Sequence, residues 1–465
     1  MIPVKGYKDC FVGVLGLGMT GIATARALES GGAFPLSWDD DQSVREKAEK
    51  SGIDIFDLNS DIILSKVSVL IVSPGIPHLY PEPHSIIFKA LKRGIVIDND
   101  ISLFFRSFAL ESWSQFQVVP KVVCVTGSNG KSTTTSLIEH ILLENHIPVE
   151  SGGNIGKAVL DLKPGIEGEV KVLEISSYQA ELARSLQPDL AVFLNFSQDH
   201  SERHGGKGGY LAAKSRLFTM GGPDKCVIGV DETEGLFLSN VIREQLLNAE
   251  PVILFSVNSI LKGSSWNIFV NKGFLVEWRN GRQVTSIDLR KKINFPGNHN
   301  YQNICAAYAC CRSLGLSPKK IEATLKSFKG LPHRLQIIGR KRGILFVNDS
   351  KATNCSAAAK SLESFQNIHW IVGGKEKYPG IESLIPINER VKMIYLIGSS
   401  EKSFSKKLGE IKHIKCQTLA KAVEAAFKNS ETGDTILLAP ACSSFDQFRS
   451  FEERGNKFIE LFEKI

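Results

Sequence analysis

No apolar run in this chain approaches the roughly 20 residues that a membrane-spanning helix needs, and no segment is low-complexity or repeats at a short period. Spanning, fibrous and solenoid architectures are thereby excluded. The N-terminus, Met1 to Cys10, lacks the basic-then-apolar layout and small-residue cleavage site of a secretory leader, so a cytoplasmic location and no membrane insertion are expected. The nine cysteines are scattered, odd in number and never at Cys-x-x-Cys spacing, which argues against a zinc site or a disulfide framework. Cys124, inside an apolar run, reads as an inert core residue. Clusters of Lys and Arg are also missing: the net charge of +7 is mild, suits phosphorylated substrates and gives no sign of a nucleic-acid partner.

What is present is the profile of an ordinary globular protein, with 43% hydrophobic and 23% charged residues. A length of 465 residues exceeds one core and predicts two or three domains. Short apolar strands alternate with amphipathic helices throughout, the pattern of α/β domains built on mostly parallel sheets. Expected strands include Phe11–Leu15, Val67–Val72, Lys121–Thr126, Lys171–Ile175, Leu190–Asn195, Leu345–Asn348, Trp370–Gly373, Met393–Ile397 and Thr435–Ala439. Between Asp100 and Pro120 the period loosens into helix plus linker, a first boundary. Around Val252–Ile293 the glycines 263, 273 and 281 suggest small antiparallel hairpins. Gly330-Leu331-Pro332 punctuates a second boundary. The expected division is 1–108, 109–330 and 331–465.

Two glycine-rich loops stand out. Gly16-Leu17-Gly18-Met19-Thr20-Gly21 follows the strand Phe11–Leu15 and opens a helix. Glycines there permit a tight turn and close backbone approach, so a diphosphate can rest on free N–H groups at the helix start. Asp39 to Asp41 follow a second strand near the offset of a ribose-binding acid. A glycine turn used only for helix–strand packing would look the same.

The second loop, Gly127-Ser128-Asn129-Gly130-Lys131-Ser132-Thr133, joins the strand Lys121–Thr126 to a helix beginning near Ser132. Its amides can cradle phosphates, Lys131 can neutralise the terminal ones, and the Ser132 hydroxyl can ligate Mg²⁺. No glycine stands at the first position of the usual P-loop spacing, yet the strand–loop–helix context is right. After it, Glu174 ends a strand, and Asn195-Phe196-Ser197-Gln198-Asp199-His200 ends another with carboxylate, amide and imidazole groups. Either could be a polar turn, but together after a phosphate loop they favour metal-assisted phosphoryl chemistry. A dehydrogenase has no use for the second loop and a plain ATPase little use for the first. A nucleotide-linked substrate plus ATP needs both.

These motifs, with Ser73-Pro74-Gly75-Ile76, Gly152-Gly153-Asn154-Ile155-Gly156, Glu174–Gln179, Gly297–Asn303, Gly330–Arg334, Asn348–Asn354 and the run Asp446–Asn456, give a chain that resembles the Mur ligases. Those are the ATP-dependent amide-bond-forming enzymes of peptidoglycan assembly. The resemblance covers nearly the whole chain, Gly16 to Asn456, and Asn348–Asn354 is most similar to the D-glutamate-adding branch. It implies an N-terminal Rossmann-like domain for a UDP-sugar, a central P-loop ATPase-type domain and a C-terminal Rossmann-like domain for the amino acid. The implied activity adds D-glutamate to UDP-N-acetylmuramoyl-L-alanine through an acyl-phosphate, with ATP and Mg²⁺, in a protein expected to act as a monomer.

By position, the resemblance implies that Gly18, Met19, Thr20, Asp39, Ser73 and Asn154 contact the UDP-sugar. Gly127, Ser128, Asn129, Gly130, Lys131, Ser132 and Thr133 would bind ATP phosphates, joined by Asn300, Asn303, Arg334, Asp349 and Lys351. Lys131, Glu174, His200 and Lys214 would be catalytic, with Ser132, Glu174, His200 and a carbamylated Lys214 as metal ligands. A free ammonium would repel Mg²⁺, whereas a carbamate offers an anionic oxygen. Thr353, Lys377, Ser444 and Phe451 would hold D-glutamate.

Two departures accompany the resemblance. Gly229 stands where the family commonly has asparagine, and Asp40 and Asp41 stand beside Asp39, adding negative charge near a diphosphate unless they point away. The competing readings are a Mur ligase for another amino acid, a folylpolyglutamate synthase-like enzyme, an NAD-dependent oxidoreductase using the first loop, and a catalytically dead UDP-sugar sensor.

Overall fold

The computed structural model describes residues 1–197, 201–245, 250–291, 299–376 and 380–465; the side chains of residues 114, 201, 291, 299 and 385–388 also lie outside the description. Contacts divide the chain into two units, Met1–Lys291 with Gln302–Leu325, and a second built on Lys326–Ile465. No helix among the described residues is long and apolar enough to cross a membrane.

The first unit holds two sheets. Strands β1 (Phe11–Leu15), β2 (Phe34–Trp38), β3 (Val69–Val72) and β4 (Val96–Asp98) form a parallel sheet in the order β2-β1-β3-β4. The second sheet takes β5 (Lys121–Thr126), β6 (Val149–Gly153), β7 (Val170–Glu174), β8 (Leu190–Phe193), β9 (Lys225–Gly229) and β10 (Val252–Ser256). It adds β11 (Asn267–Asn271), β12 (Phe274–Arg279) and β13 (Arg282–Asp288), in the order β13-β12-β11-β10-β9-β8-β5-β7-β6. The interiors of the central strands β1, β3, β5, β7, β8 and β9 are buried on both faces, as their apolar runs require. In each sheet the chain crosses to both sides of one strand, β1 or β5. Such a switch point leaves a crevice beyond the strand's carboxyl end, and both glycine-rich loops begin there.

The stretch 252–293 corrects part of the sequence expectation. Strand β10 pairs in parallel with β9 and β11, extending the main sheet, and only β11-β12-β13 is an antiparallel meander. Its turns are Lys272-Gly273 and Asn280-Gly281, all four residues at positive φ (49°, 82°, 53° and 73°). Two-residue turns of that hand match strand twist, which the glycines signalled. Nothing local to β10 announces its parallel partner, because that pairing depends on the crossover helix Thr233–Gln245.

The helix Asp100–Gln115 leads from the first sheet to the second. Asn99 caps it, its side chain accepting from Ser102 N at 3.1 Å. Phe104, Phe105 and Phe108 are buried along its length in a core shared by both sheets, with Phe104 and Phe108 stacked at 5.1 Å. Burying such a ring contributes about 1.5–3 kcal/mol, so the shared core explains why the two sheets make one unit.

Asp100, the first residue of that helix, is buried, and burial pushes its carboxyl up to about 7. Its folded value lies above the unfolded one, so the native unit holds this proton more tightly. The favourable term is full below pH 4 and is lost as pH rises through about 7. Asp100→Asn should therefore raise the thermal midpoint more at pH 8 than at pH 5, by a difference worth roughly 2–4 kcal/mol. Parallel melting curves at the two pH values check it; an equal shift at both would refute the titration.

The second unit is one six-stranded sheet: β14 (Gln336–Lys341), β15 (Ile344–Asn348), β16 (Ile368–Gly373), β17 (Val391–Ile397), β18 (His413–Gln417) and β19 (Thr435–Leu438), in the order β14-β15-β19-β16-β17-β18. All its pairings are parallel except β14–β15. Two apolar clusters cover its faces.

Candidate functional site

At the end of β1, Gly16 has φ 92°, and an added Cβ would lie 2.8 Å from both Ser73 Cβ and Ile76 Cδ1. Ser73 Oγ donates to Gly16 O at 2.8 Å, locking the β3 loop to the β1 loop. Gly21 is equally obligatory, since its Cβ would meet Gly16 O at 1.8 Å. Gly18 caps the helix Met19–Ser30 without a side-chain bond, and Met19 beside it is 53% exposed. That leaves the first amides of the helix available to a ligand.

Asp39 does not wait free for a ribose: its Oδ2 accepts from Leu17 N at 2.8 Å and its Oδ1 from Asp41 N at 3.0 Å. It shapes the loop. Asp40 accepts from Trp38 Nε1 and sits 2.7 Å from His84 Nε2, whose hydrogen bond holds its carboxyl below the usual range. Asp41 caps the helix Gln42–Lys50, accepting from Ser43. Both extra acids thus have partners of their own, which answers the charge problem that the sequence posed.

At the end of β5, Gly127 and Gly130 have φ 151° and 84°. A Cβ on Gly127 would press Leu194 Cβ at 2.9 Å, and one on Gly130 would strike Asn303 Oδ1 at 2.2 Å. The loop is also tied to the end of β8: Ser128 N donates to Asn195 O at 3.1 Å and Asn129 N to Asn195 Oδ1 at 2.9 Å. Asn195 Nδ2 reaches Gln302 Oε1 at 2.7 Å, and Thr134 Oγ1 reaches Asn303 Oδ1 at 3.3 Å. The helix His299–Ser313 therefore backs the loop with Gln302 and Asn303, and Asn300 on it is buried. The sequence marked the segments Asn195–His200 and Gly297–Asn303 but gave neither Asn195 nor Gln302 this loop-bracing role; their amide side chains at a strand end and a helix start were the signal.

Lys131 opens the helix Lys131–Glu144, and its Nζ donates to Gly127 O at 3.0 Å and Ser128 O at 3.1 Å. Ser132 is buried behind it and Thr133 half-buried. Lys214, 1% exposed on the helix Lys207–Thr219, donates to the same Gly127 O at 2.8 Å and lies over the Tyr210 ring. Two ammonium groups on one carbonyl repel each other.

Glu174 ends β7 directly across from Val125 of β5. Its Oε1 accepts from Asn154 Nδ2 at 2.8 Å, while its buried Oε2 has no hydrogen-bond donor among the described residues. A buried carboxylate oxygen left so is costly unless a cation meets it. This fits the hard, oxygen-preferring Mg²⁺. Asn154, expected with the UDP-sugar set, is thus placed beside Glu174, with Asn154 N also donating to Glu174 O. Among the described residues no three His, Cys, Asp or Glu converge as a metal cage. That is ordinary for Mg²⁺, which keeps waters and substrate phosphates as ligands. His200 and Lys377 lie outside the described residues.

Gly229 also finds its reason. A Cβ there would stand 2.1 Å from Leu194 O and 2.9 Å from Phe255 Cζ, so an asparagine has no room.

In the second unit, the segment after β15 collects the remaining expected residues. Asp349 is buried beside Ser361 Oγ, and burial pushes its carboxyl up to about 6. Lys351 Nζ sits 3.9 Å over the Phe451 ring, which meets His333 edge-on. Thr353 and Arg334 flank them half-buried, and Ser444 is buried. Two residues without an assigned role organise this cluster. Arg454, fully buried, donates to Ser350 Oγ, Ser350 O and Cys442 O, and burial lowers it to about 10. His333, at φ 61°, lies 2.9 Å from Asn348 Nδ2, against the backbone of Gly455, where a Cβ would come within 2.2 Å. Their place in Gly330–Arg334 and Arg454–Asn456 was visible, their burial was not. The cysteines are free, and burial pushes the Cys124 thiol up, which suits an inert core residue.

Comparison with known proteins matches residues 125–311 to the Mur ligase middle domain and 333–442 to the Mur ligase glutamate ligase domain. The chain is 55% identical over 460 residues, 99% of both proteins, to a UDP-N-acetylmuramoylalanine–D-glutamate ligase of Cereibacter sphaeroides. It is 54% identical to the protein of that name from Ruegeria pomeroyi, covering 100% of this chain and 99% of the relative. Among solved structures, a UDP-N-acetylmuramate–alanine ligase of Thermotoga maritima shares the fold at TM-score 0.58 and 18% identity, covering 99% and 100% of the two chains. A pseudomurein peptide ligase of Methanothermus fervidus does so at TM-score 0.56 and 17% identity, covering 98% and 100%.

Proposed function

The chain belongs to the Mur ligase family, and from that membership we propose that it joins D-glutamate to UDP-N-acetylmuramoyl-L-alanine in peptidoglycan synthesis, driven by ATP. The observation that best supports it is the phosphate loop at the β5 switch point with the unsatisfied Glu174 oxygen on the adjacent strand. In this reading residues 1–108 take the UDP-sugar, 109–330 the ATP and 331–465 the amino acid.

A carboxylate is a poor electrophile, so its oxygen first attacks the γ-phosphorus of ATP, giving an acyl-phosphate and ADP. The loop amides and Lys131 hold the phosphates and spread the developing charge. Mg²⁺, for which Ser132, Glu174, His200 and a carbamylated Lys214 are the candidate ligands, would supply further charge stabilisation. Carbamylation would turn the repulsion of two ammonium groups at Gly127 O into attraction, and the carbamate N–H can keep that hydrogen bond. The amine of D-glutamate then attacks the acyl carbon, the tetrahedral intermediate loses a proton, and phosphate departs. Thr353, Lys377, Ser444 and Phe451 are the proposed D-glutamate contacts, with Arg334, Asp349 and Lys351 serving the nucleotide. Asn300 and Asn303 are proposed on the adenine side, and Gly18, Met19, Thr20, Asp39, Ser73 and Asn154 on the UDP-sugar.

The test is phosphate release from purified protein with Mg-ATP and UDP-N-acetylmuramoyl-L-alanine, adding D-glutamate, L-glutamate, L-lysine or diaminopimelate separately. Release with D-glutamate alone, with the product mass to match, is expected. Release with another amino acid would move the chain to a sister reaction; none at all would overturn the ligase reading.

A further inference from the structure

Beyond the two glycine loops, one partly buried polar chain joins the first sheet to the second. Glu181, on the short helix Ser177–Leu182 that follows Glu174, presents one oxygen to two imidazoles: His78 Nε2 at 3.4 Å and His204 Nδ1 at 3.1 Å. His204 Nε2 lies 2.9 Å from Ser177 Oγ. Glu181 Oε2 and His204 Nδ1 have no hydrogen-bond partner among the described residues, so the carboxylate meets the two imidazoles by close charge–dipole approach, and of the His204 nitrogens Nε2 makes the hydrogen bond. The order serine, imidazole, carboxylate matches a hydrolase triad, but Ser177 is 3% exposed and His204 2%, out of reach of any substrate. The arrangement orients; it does not attack.

What it orients is the loop after β3. His78 belongs to that loop, and Arg203 NH1 donates to Gly75 O within it at 3.0 Å. Arg203 in turn stacks over Tyr178 at 4.7 Å, and Tyr178 stacks on His204 at 5.2 Å and 15°. The loop is therefore gripped at Gly75 and at His78. Both grips come from segments that adjoin candidate catalytic residues, Glu174 on one side and His200 on the other. At its other end the same loop holds Gly16 through Ser73.

We propose that Glu181 and His78 form a positioning latch that holds the Ser73–His78 loop in the shape that receives the UDP-sugar, and so set the affinity for that substrate. The inference rests on the proposed function, because it names the UDP-sugar as what the loop receives. Neither residue is a catalytic group, since neither is placed to touch the reacting atoms. Their interaction acts through the loop, so losing either partner should have the same effect as losing both.

The experiment is calorimetric binding of UDP-N-acetylmuramoyl-L-alanine, and separately of Mg-ATP, to the wild-type chain, Glu181→Gln, His78→Gln and the double variant, with melting curves for each. The expected result is about ten-fold weaker UDP-sugar binding in each single variant, no further loss in the double, and unchanged ATP binding. In turnover KM for the UDP-sugar should rise with kcat nearly constant. Should Glu181→Gln misfold, His78→Gln, on a loop, carries the same prediction. Unchanged UDP-sugar affinity in a folded variant, additive losses, or an equal loss of ATP binding would overturn the latch alone. Failure of the wild-type chain to bind the UDP-sugar would overturn both latch and function.

Discussion

Lys131→Ala should reduce phosphate release by at least about 10³-fold while leaving the chain folded. The lysine begins the helix that follows the phosphate loop, and its ammonium rests on Gly127 O and Ser128 O. Those two carbonyls fix the ammonium at the loop, where the proposed reaction would bring the transferring phosphoryl group. Removing it deletes a charge needed most when the phosphoryl group is between donor and acceptor, so kcat falls further than ATP affinity. Lys131→Arg should not restore the rate, because a planar fork does not reproduce a compact ammonium in a loop this tight. Stability should change by no more than about 0.5 kcal/mol, since the side chain is only partly buried and packs no core. Full activity in Lys131→Ala would remove the ATP site from this loop.

Glu174→Gln should lower kcat by about 10²–10³-fold and raise the Mg²⁺ concentration needed for half-maximal activity. The substitution keeps the shape of the side chain and an oxygen for the 2.8 Å bond from Asn154. It removes the negative charge and puts an N–H₂ where the unsatisfied Oε2 stands. A purely structural glutamate would lose stability on that change. A carboxylate held in place for a cation should instead lose activity while the apo protein melts no earlier, because a buried carboxylate with one oxygen lacking a donor is itself destabilising. Magnesium titrations of turnover beside melting curves separate the two, and an unchanged Mg²⁺ requirement would discard Glu174 as a ligand.

The loops were legible because their determinants are local. Gly16, Gly127 and Gly130 sit at positive φ immediately after apolar strands, and a sequence shows both the glycine and the strand. The hairpin turns Lys272-Gly273 and Asn280-Gly281 were legible for the same reason. The hydrogen bond of Asn154 to Glu174 was not, because its partner stands twenty residues on and one strand over. The loop-closing bonds of Asp39 to Leu17 N and Asp41 N were also hidden, because a carboxylate that serves a ligand and one that closes its own loop have the same position in a sequence.

The amino-acid sequence by itself determined the α/β alternation, the two phosphate-type loops, the positions of Lys131, Glu174 and Lys214, and the family that these identify. Periodicity, glycine and motif spacing are all short-range properties, written within one strand, loop and helix. Only the tertiary structure decided that Gly130 must make room for Asn303 and that Asn195 finds Gln302. It likewise decided that Arg454 is buried on Ser350, and that Glu181 is shared by His78 and His204. The partner of a buried polar group depends on which distant segment packing brings within about 3 Å, and no local pattern records that choice.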